Sequence, residues 1–390
     1  MLFASHLARM PTGDLRAAVD DACKAIAASL PAPTVLFPFL RCSDPNDYRK
    51  LPELLAAHFP KALICGCSAS GVIGGGHEEE DTPALALTAA NFRAPSLTHI
   101  DPAAVLDGEQ RVDPERLARV LGDEAGDLIV LVDPFTLPPD SLVEALDIAL
   151  PGAVKLGGLA SAGPAPRSTM LYGRIAHRKG ALVLRLGPDT RLSTIVAQGC
   201  RPIGHPYVAT RTNGQSIYEL DGKAAVEVMQ DLFKTLSPED KDVFRHSLFV
   251  GIEMDKKLVE MRSDRLLVRD LLGVDPNSGA VGVATQVKTY DVVQFVLRDS
   301  ASAEAELATL LEAKHEAGVR PDGALLVSCV GRGRHLFGRP DHDPDLFNAR
   351  FLDIPLGGFF ASGEIAPVGG HTFLHGYTSA FALFEDRATD

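Results

Sequence analysis

Apolar residues recur at helical spacing through Leu15, Val19, Ala22, Ile26 and Leu30, which predicts an amphipathic helix over 14–30. Thr12 or Asp14 can cap it, and Pro31 and Pro33 end it. The unbroken apolar run 35–40 predicts a strand, and Pro38 marks that strand as an edge or a bulge. A short helix near 48–58 and buried strands at 62–65 and 84–90 follow. Residues 127–132 are almost wholly apolar, the pattern of a central strand covered on both faces. Helices predicted at 114–121 and 141–150 flank it, and strands at 169–172 and 181–186 come next. Further on, Ala225, Val228, Met229, Leu232 and Phe233 form the inward face of a helix over 222–236. Strands are predicted at 248–252, 281–287 and 292–298, a helix at 304–317, a buried strand at 324–329 and a last strand at 379–384. The alternation assigns the chain to the α/β or α+β class, with layered sheets and outer helices. Strand order is not written in such a pattern.

Three glycine-rich junctions punctuate the pattern, at 66–71 (GCSASG), 157–163 (GGLASAG) and 357–363 (GGFFASG). The last two share more context. A G-x-L-x-V string begins at Gly126 and again at Gly323, and a T-x-L-x-G string begins at Thr169 and again at Thr372. The offset of about 200 residues suggests two structurally related halves, 1–190 and 191–390. Glycine admits close approach of backbone or ligand, and serine adds a small polar handle, so the junctions of two packed halves could line one cleft.

Composition narrows the function classes. The 390 residues hold 51 Asp and Glu against 38 Lys and Arg, a formal charge of −13. That balance argues against a nucleic-acid or anionic-membrane binder. No apolar run approaches ~20 residues and the N-terminus has no leader pattern, so a cytoplasmic protein is expected. Six cysteines are too few for a disulfide scaffold, and most are expected to be buried thiols.

Candidate chemistry is sparse. Residues 71–76 follow a strand but carry neither G-x-G-x-x-G nor a P-loop, and the acidic run 77–81 would repel a phosphate. A loop or lid at a cleft edge is the better expectation there. Gly331-Arg332-Gly333-Arg334 offers two cations on flexible backbone, suited to a carboxylate or phosphate. Cys65 and Cys67 lack a second ligand pair. His335, His342, His371 and His375 lie among Asp341, Asp343 and Glu364, but no H-E-x-x-H or H-x-H occurs, and a polar loop is expected rather than a metal. Ser68 fits one side only of a G-x-S-x-G elbow. Cys329 ends a strand beside a glycine-rich loop, where His375 could serve it as base, although a buried core cysteine is the plainer reading. Cys200 stands at a similar strand-to-turn junction, with the same plainer reading.

The string 196–229 (VAQGCRPIGHPYVATRTNGQSIYELDGKAAVEVM) resembles the junction of the two FIST domains. The likeness continues through 268–283, 293–299, GALLVSCVGRGRHLFG at 323–338, PLGGFFASGEIAPVGG at 355–370 and 373–384. ICGCSASGVI at 64–73 and LGGLASAG at 156–163 resemble the FIST N-terminal domain. The resemblance implies a FIST N-terminal domain over 1–190 and a FIST C-terminal domain over 191–390. It implies a soluble small-ligand sensory protein of intracellular signal transduction, the ligand being an amino acid or another small carboxylate. Taken with the glycine junctions and the charges near them, it gives an expected ligand set of Gly66, Cys67, Ser68, Gly158, Ser161, Cys329, Arg332, Arg334, Gly358, Glu364 and His375, with Arg332 holding a carboxylate and Glu364 accepting from an ammonium. No catalytic residue, metal or cofactor is implied. The alternatives are a hydrolase or transferase using Cys329 or Ser68 with His375, and a non-catalytic interaction scaffold. With the matches using nearly the whole chain, a separate protein partner would carry the signal onward, and a homo-oligomer is compatible with that.

Overall fold

The computed structural model describes residues 1–163, 165–254 and 266–387. They form two compact units, one of 1–196 with 308–390 and one of 197–307. The second therefore interrupts the first in sequence.

In the larger unit one strand pattern occurs three times. Each repeat has a first strand, a helical crossover, a second strand parallel to the first, a hairpin, and a last strand antiparallel to the first. The first repeat runs through Val35–Arg41, the helix Asp47–His58, Gly66–Ser68, the hairpin Val72–Gly74/His77–Glu79, and Ala84–Ala90. The second runs through Leu128–Val132, the helix Pro139–Ala149, Lys155–Leu159, the hairpin Leu171–Tyr172/Ala176–His177, and Ala181–Arg185. The third runs through Gly323–Cys329, the helices Gly333–Phe337 and His342–Asn348, Leu356–Ala361, the hairpin Glu364–Val368/His371–His375, and Ser379–Asp386. Each sheet also gains an outer strand: Phe3–Arg9, Ser96–Ile100 and Thr190–Ala197 respectively. The suggestion of two related halves thus gives way to a threefold repeat within one unit, and the glycine junction at 66–71 belongs to the first repeat.

No repeat keeps its own hairpin. The first repeat's hairpin pairs with the third repeat's second strand, Ile73 facing Gly358. The third's pairs with the second's, Glu364 facing Gly158. The second's pairs with the first's, Leu171 facing Cys67. A two-stranded hairpin is marginal alone, and an open sheet edge invites aggregation, so each exchange removes both problems.

One apolar core is shared by all three sheets and holds Phe37, Phe39, Leu131, Leu156, Leu184, Val327, Phe359 and Phe384, with Phe39 and Phe359 stacked at 4.7 Å. Helices cover the outer faces. Leu15–Ser29 begins at Asp14, whose side chain accepts from the Ala17 amide, and buries Leu15, Val19, Ala22 and Ile26 as its periodicity predicts. Phe347 seats the helix His342–Asn348 by stacking on Phe381 at 5.4 Å.

Pro38 is a correction. Its strand is internal, between Ala84–Ala90 and Gly66–Ser68. The missing N–H is tolerated because the parallel partner breaks between Leu63–Ile64 and Gly66–Ser68 beside it. The pyrrolidine ring fits because residue 66 is glycine, where a Cβ would lie 2.7 Å from the ring. The loop or lid expected at 71–76 is corrected as well, since Val72–Gly74 pairs with His77–Glu79 as a hairpin.

In the smaller unit Val292–Arg298, Tyr207–Asn213, Ser216–Leu220, Val281–Val283, Leu266–Val274 and Leu248–Glu253 pair in that order. Leu248–Glu253 pairs back with Val292–Arg298, so six antiparallel strands close into a barrel. Val228 and Leu232 of the helix Ala225–Thr235 pack with barrel residues Ile217, Val250 and Phe295.

Candidate functional site

The strand register aligns the three junctions as G-x-x-A-S-G/A, with Gly66, Gly157 and Gly358 equivalent and Ser70, Ser161 and Ser362 four residues on. A Cβ at any of the three glycines would lie 1.8–1.9 Å from a carbonyl oxygen of the adjacent strand, so these positions require glycine. Equivalent amides then tie each repeat to an exchanged hairpin. Ser68 N–H donates to Met170 O at 2.8 Å, Leu159 N–H to Gly363 O at 2.9 Å, and Phe360 N–H to Gly71 O at 3.0 Å. Ser161 links all three repeats, its hydroxyl accepting from Ser70 N–H at 2.9 Å and donating to Phe360 O.

The third junction carries the charges. Arg332 is fully buried, and its Nε and Nη2 donate to the two oxygens of Asp343 at 2.8 and 2.9 Å. His342 Nδ1 donates to the same carboxylate at 3.0 Å. Burial would raise the Asp343 carboxyl, but the Arg332 charge and these hydrogen bonds prevail and hold it well below the usual carboxylate range. Phe337 packs over the Arg332 guanidinium at 5.3 Å and stacks on His342.

The first repeat's hairpin latches onto this group. Glu78 N–H donates to Asp341 Oδ1 at 2.6 Å, and Asp341 N–H donates back to Glu78 Oε2 at 2.7 Å. Burial, reinforced by the nearby Asp343 charge, pushes the Glu78 carboxyl up to about 8. At neutral pH it carries a proton. Arg334 is exposed, pairs with Asp81, and donates its amide to Glu80 Oε1 at 2.9 Å.

A second polar path lies at the end of the strand Gly323–Cys329. Cys329 N–H donates to Thr378 O at 3.0 Å, and Thr378 N–H donates to Glu364 Oε2 at 3.1 Å. Glu364 is fully buried and stands between Gly158 and His375 in its sheet. His375 Nε2 donates to Ala366 O at 3.1 Å. Gly331 N–H lies 3.4 Å from Cys329 Sγ.

The structure therefore brings Gly158, Cys329, Glu364 and His375 together, and places Gly358 and Ser161 at the adjoining junction. Gly66, Cys67 and Ser68 stand at the first junction instead. The Ser68 hydroxyl donates to Ala162 O and accepts from Met170 N–H at 2.8 Å, a tie between two repeats. Cys65 and Cys67 are fully buried, which pushes both thiols up. The guanidinium fork of Arg332, offered by the sequence to a ligand carboxylate, holds Asp343. Sequence reasoning met Glu78 only within the acidic run 77–81, and Asp343 only within a candidate metal cluster. Among the described residues no group of three or more His, Cys, Asp or Glu could hold a metal ion. None of the described helices is long and apolar enough to cross a membrane.

The family model described as FIST N domain matches residues 34–223, and that of the FIST C domain matches 225–367. The chain belongs to the FIST family. FIST domains are small-molecule sensory modules. An uncharacterized protein of Mycobacterium tuberculosis strain H37Rv is 37% identical over 376 residues, covering 95% of this FIST chain and 96% of its own length. An uncharacterized protein of Mycobacterium bovis is 36% identical over 334 residues, 84% of each chain. The two FIST models meet at 223–225, inside the smaller unit.

Proposed function

We propose that this FIST chain is a small-ligand sensor of intracellular signal transduction, that its ligand is an amino acid or another small carboxylate, and that a protein partner reads its state. One observation carries the reading. Glu364 is a fully buried carboxylate on a strand that the third repeat lends to the sheet of the second, opposite His375. Burying a carboxylate is costly, and a packing role at this position would be served better by an apolar side chain. Buried ionisable groups gathered at a junction of elements are the usual mark of a site. Glu364 is the acceptor for a ligand ammonium. Arg332, oriented by Asp343, is the buried cation of the same repeat. The FIST membership supports the sensory role, and the closed hydrogen bonding of Ser68 weighs against that serine as a nucleophile.

The test begins with native mass spectrometry of protein purified from cells, compared with the denatured chain. Retained ligand gives a mass excess that denaturation removes. The purified protein is then melted with a panel of amino acids and short carboxylates. A ligand at a hundredfold excess over its Kd stabilises by about 2.7 kcal/mol. Glu364→Gln is expected to abolish that shift while melting cooperatively. A shift unchanged in Glu364→Gln, or a panel without any shift and an apo native mass, overturns the proposal.

A further inference from the structure

The smaller unit holds a cavity of about 300 Å³ that belongs to none of the junctions, between the turn at Gly204, the Leu220–Lys223 turn and the helix Ala225–Thr235. Its floor is apolar, made by the nearly buried side chains of Leu220, Val228 and Leu232. One wall is aromatic, His205 packed on Tyr207 with ring centroids 4.2 Å apart. Tyr207 is 93% buried, its exposure being 7%, and its hydroxyl makes no hydrogen bond among the described residues. The phenol feels the charges of both Asp221 and Asp231, which with burial push its pKa up.

The two carboxylates differ. Asp231 already has cations, with Lys234 Nζ at 2.8 Å from Oδ1 and Lys223 close enough to act on it. Asp221 accepts from Val208 N–H at 2.9 Å and has no ion-pair partner among the described residues. It is held in the left-handed region at φ 49°, a conformation that an exposed non-glycine residue adopts at some cost.

We propose that this cavity is a second ligand site, for a small monoamine whose ammonium meets Asp221 and the Tyr207 hydroxyl and whose hydrocarbon or aryl body lies on the Leu220–Val228–Leu232 floor. The volume is at the small end of ligand cavities and suits a body of about ten heavy atoms. An anionic ligand would meet two carboxylates, Asp221 and Asp231, against the one lining cation Lys223, since Lys234 is paired with Asp231. A neutral ligand would leave the carboxylate and the phenol without new partners.

The experiment uses the full chain and 2-phenylethylamine, with 2-phenylethanol and 3-phenylpropanoate as neutral and anionic counterparts, titrated into isotopically labelled protein and followed by amide shifts. The amine is expected to move resonances within 204–235 and to bind at least tenfold more tightly than either counterpart. Asp221→Asn keeps the acceptor for Val208 N–H and the tolerance for positive φ, and is expected to weaken the amine at least tenfold. Glu364→Gln is expected to leave this binding unchanged, so failure here and failure of the sensory reading at Glu364 are distinguishable. Equal affinity for alcohol and amine, shifts centred elsewhere, or no binding up to millimolar amine each overturns the proposal.

Discussion

Glu78 offers a sharp test of how the hairpin is latched. The side chain is nearly buried, accepts from Asp341 N–H through Oε2, and lies near the ionised Asp343. Its carboxyl rises from an ordinary 4.5 to about 8, by burial first and the Asp343 charge second. The folded protein thus keeps a proton that the unfolded chain releases above pH 4.5. Its contribution to stability is full below 4.5, declines as pH rises, and is gone once pH has passed about 8. Each pH unit in that window is worth about 1.4 kcal/mol, so the whole loss has a ceiling of about 5 kcal/mol. Relaxation of the hairpin would bring it to roughly half. Glu78→Gln mimics the protonated form, with a carbonyl for Asp341 N–H and an amide where the hydroxyl stood, and cannot ionise. Urea unfolding at half-unit steps from pH 5 to 9 measures the difference. The variant is expected to match the wild-type chain near pH 5 and to exceed it by about 2–5 kcal/mol at pH 9. Parallel curves for the two proteins would refute the argument, since they would mean that Glu78 titrates alike in the folded and unfolded chains.

Asp343→Asn leaves the buried Arg332 without its counter-charge and is expected to cost about 3–5 kcal/mol in urea unfolding at pH 7, while the apolar pair Arg332→Met with Asp343→Leu recovers most of that loss. The Asp343 carboxyl lies below its unfolded value, so its contribution is present above the usual carboxylate range and disappears only as pH falls through the folded value; a loss under 1 kcal/mol would show the pair to be dispensable. Gly157→Ala sets a Cβ 1.8 Å from Val130 O and is expected to yield no cooperatively folded larger unit by thermal melting, whereas Gly108→Ala, with nothing within 4 Å, should change stability by less than about 0.5 kcal/mol.

The elements were largely legible and their assembly was not. Periodicity located the helix Leu15–Ser29 to within a residue and the central strand Leu128–Val132, because burial of one face or both writes itself locally. The glycine junctions were visible as well. They were read as two halves because the T-x-L-x-G and G-x-L-x-V strings accompany only two of them, and the third repeat emerged once register matched Gly66 to Gly157 and Gly358. Pro38 misled because its tolerance depends on a glycine twenty-eight residues away. The strand Phe3–Arg9 carries too weak an alternation to announce itself. At the site, Cys329, Glu364 and His375 could each be named from the sequence, but the partner of Arg332 stands eleven residues on, in a helix no spacing rule ties to it. Hairpin exchange left no trace in the sequence, since backbone pairing across 285 residues (Ile73 with Gly358) uses no particular side chain.

That exchange has a consequence for how the chain can be divided. The three hairpins are handed round in a circle, so the topology is that of a three-subunit ring written into one polypeptide. A fragment ending at the boundary of the two FIST models would hold a hairpin with no seat and a sheet edge with no guest. Neither segment is a module to be grafted elsewhere by itself. Each repeat takes part in two of the three exchanges, so removing any one repeat breaks two of them.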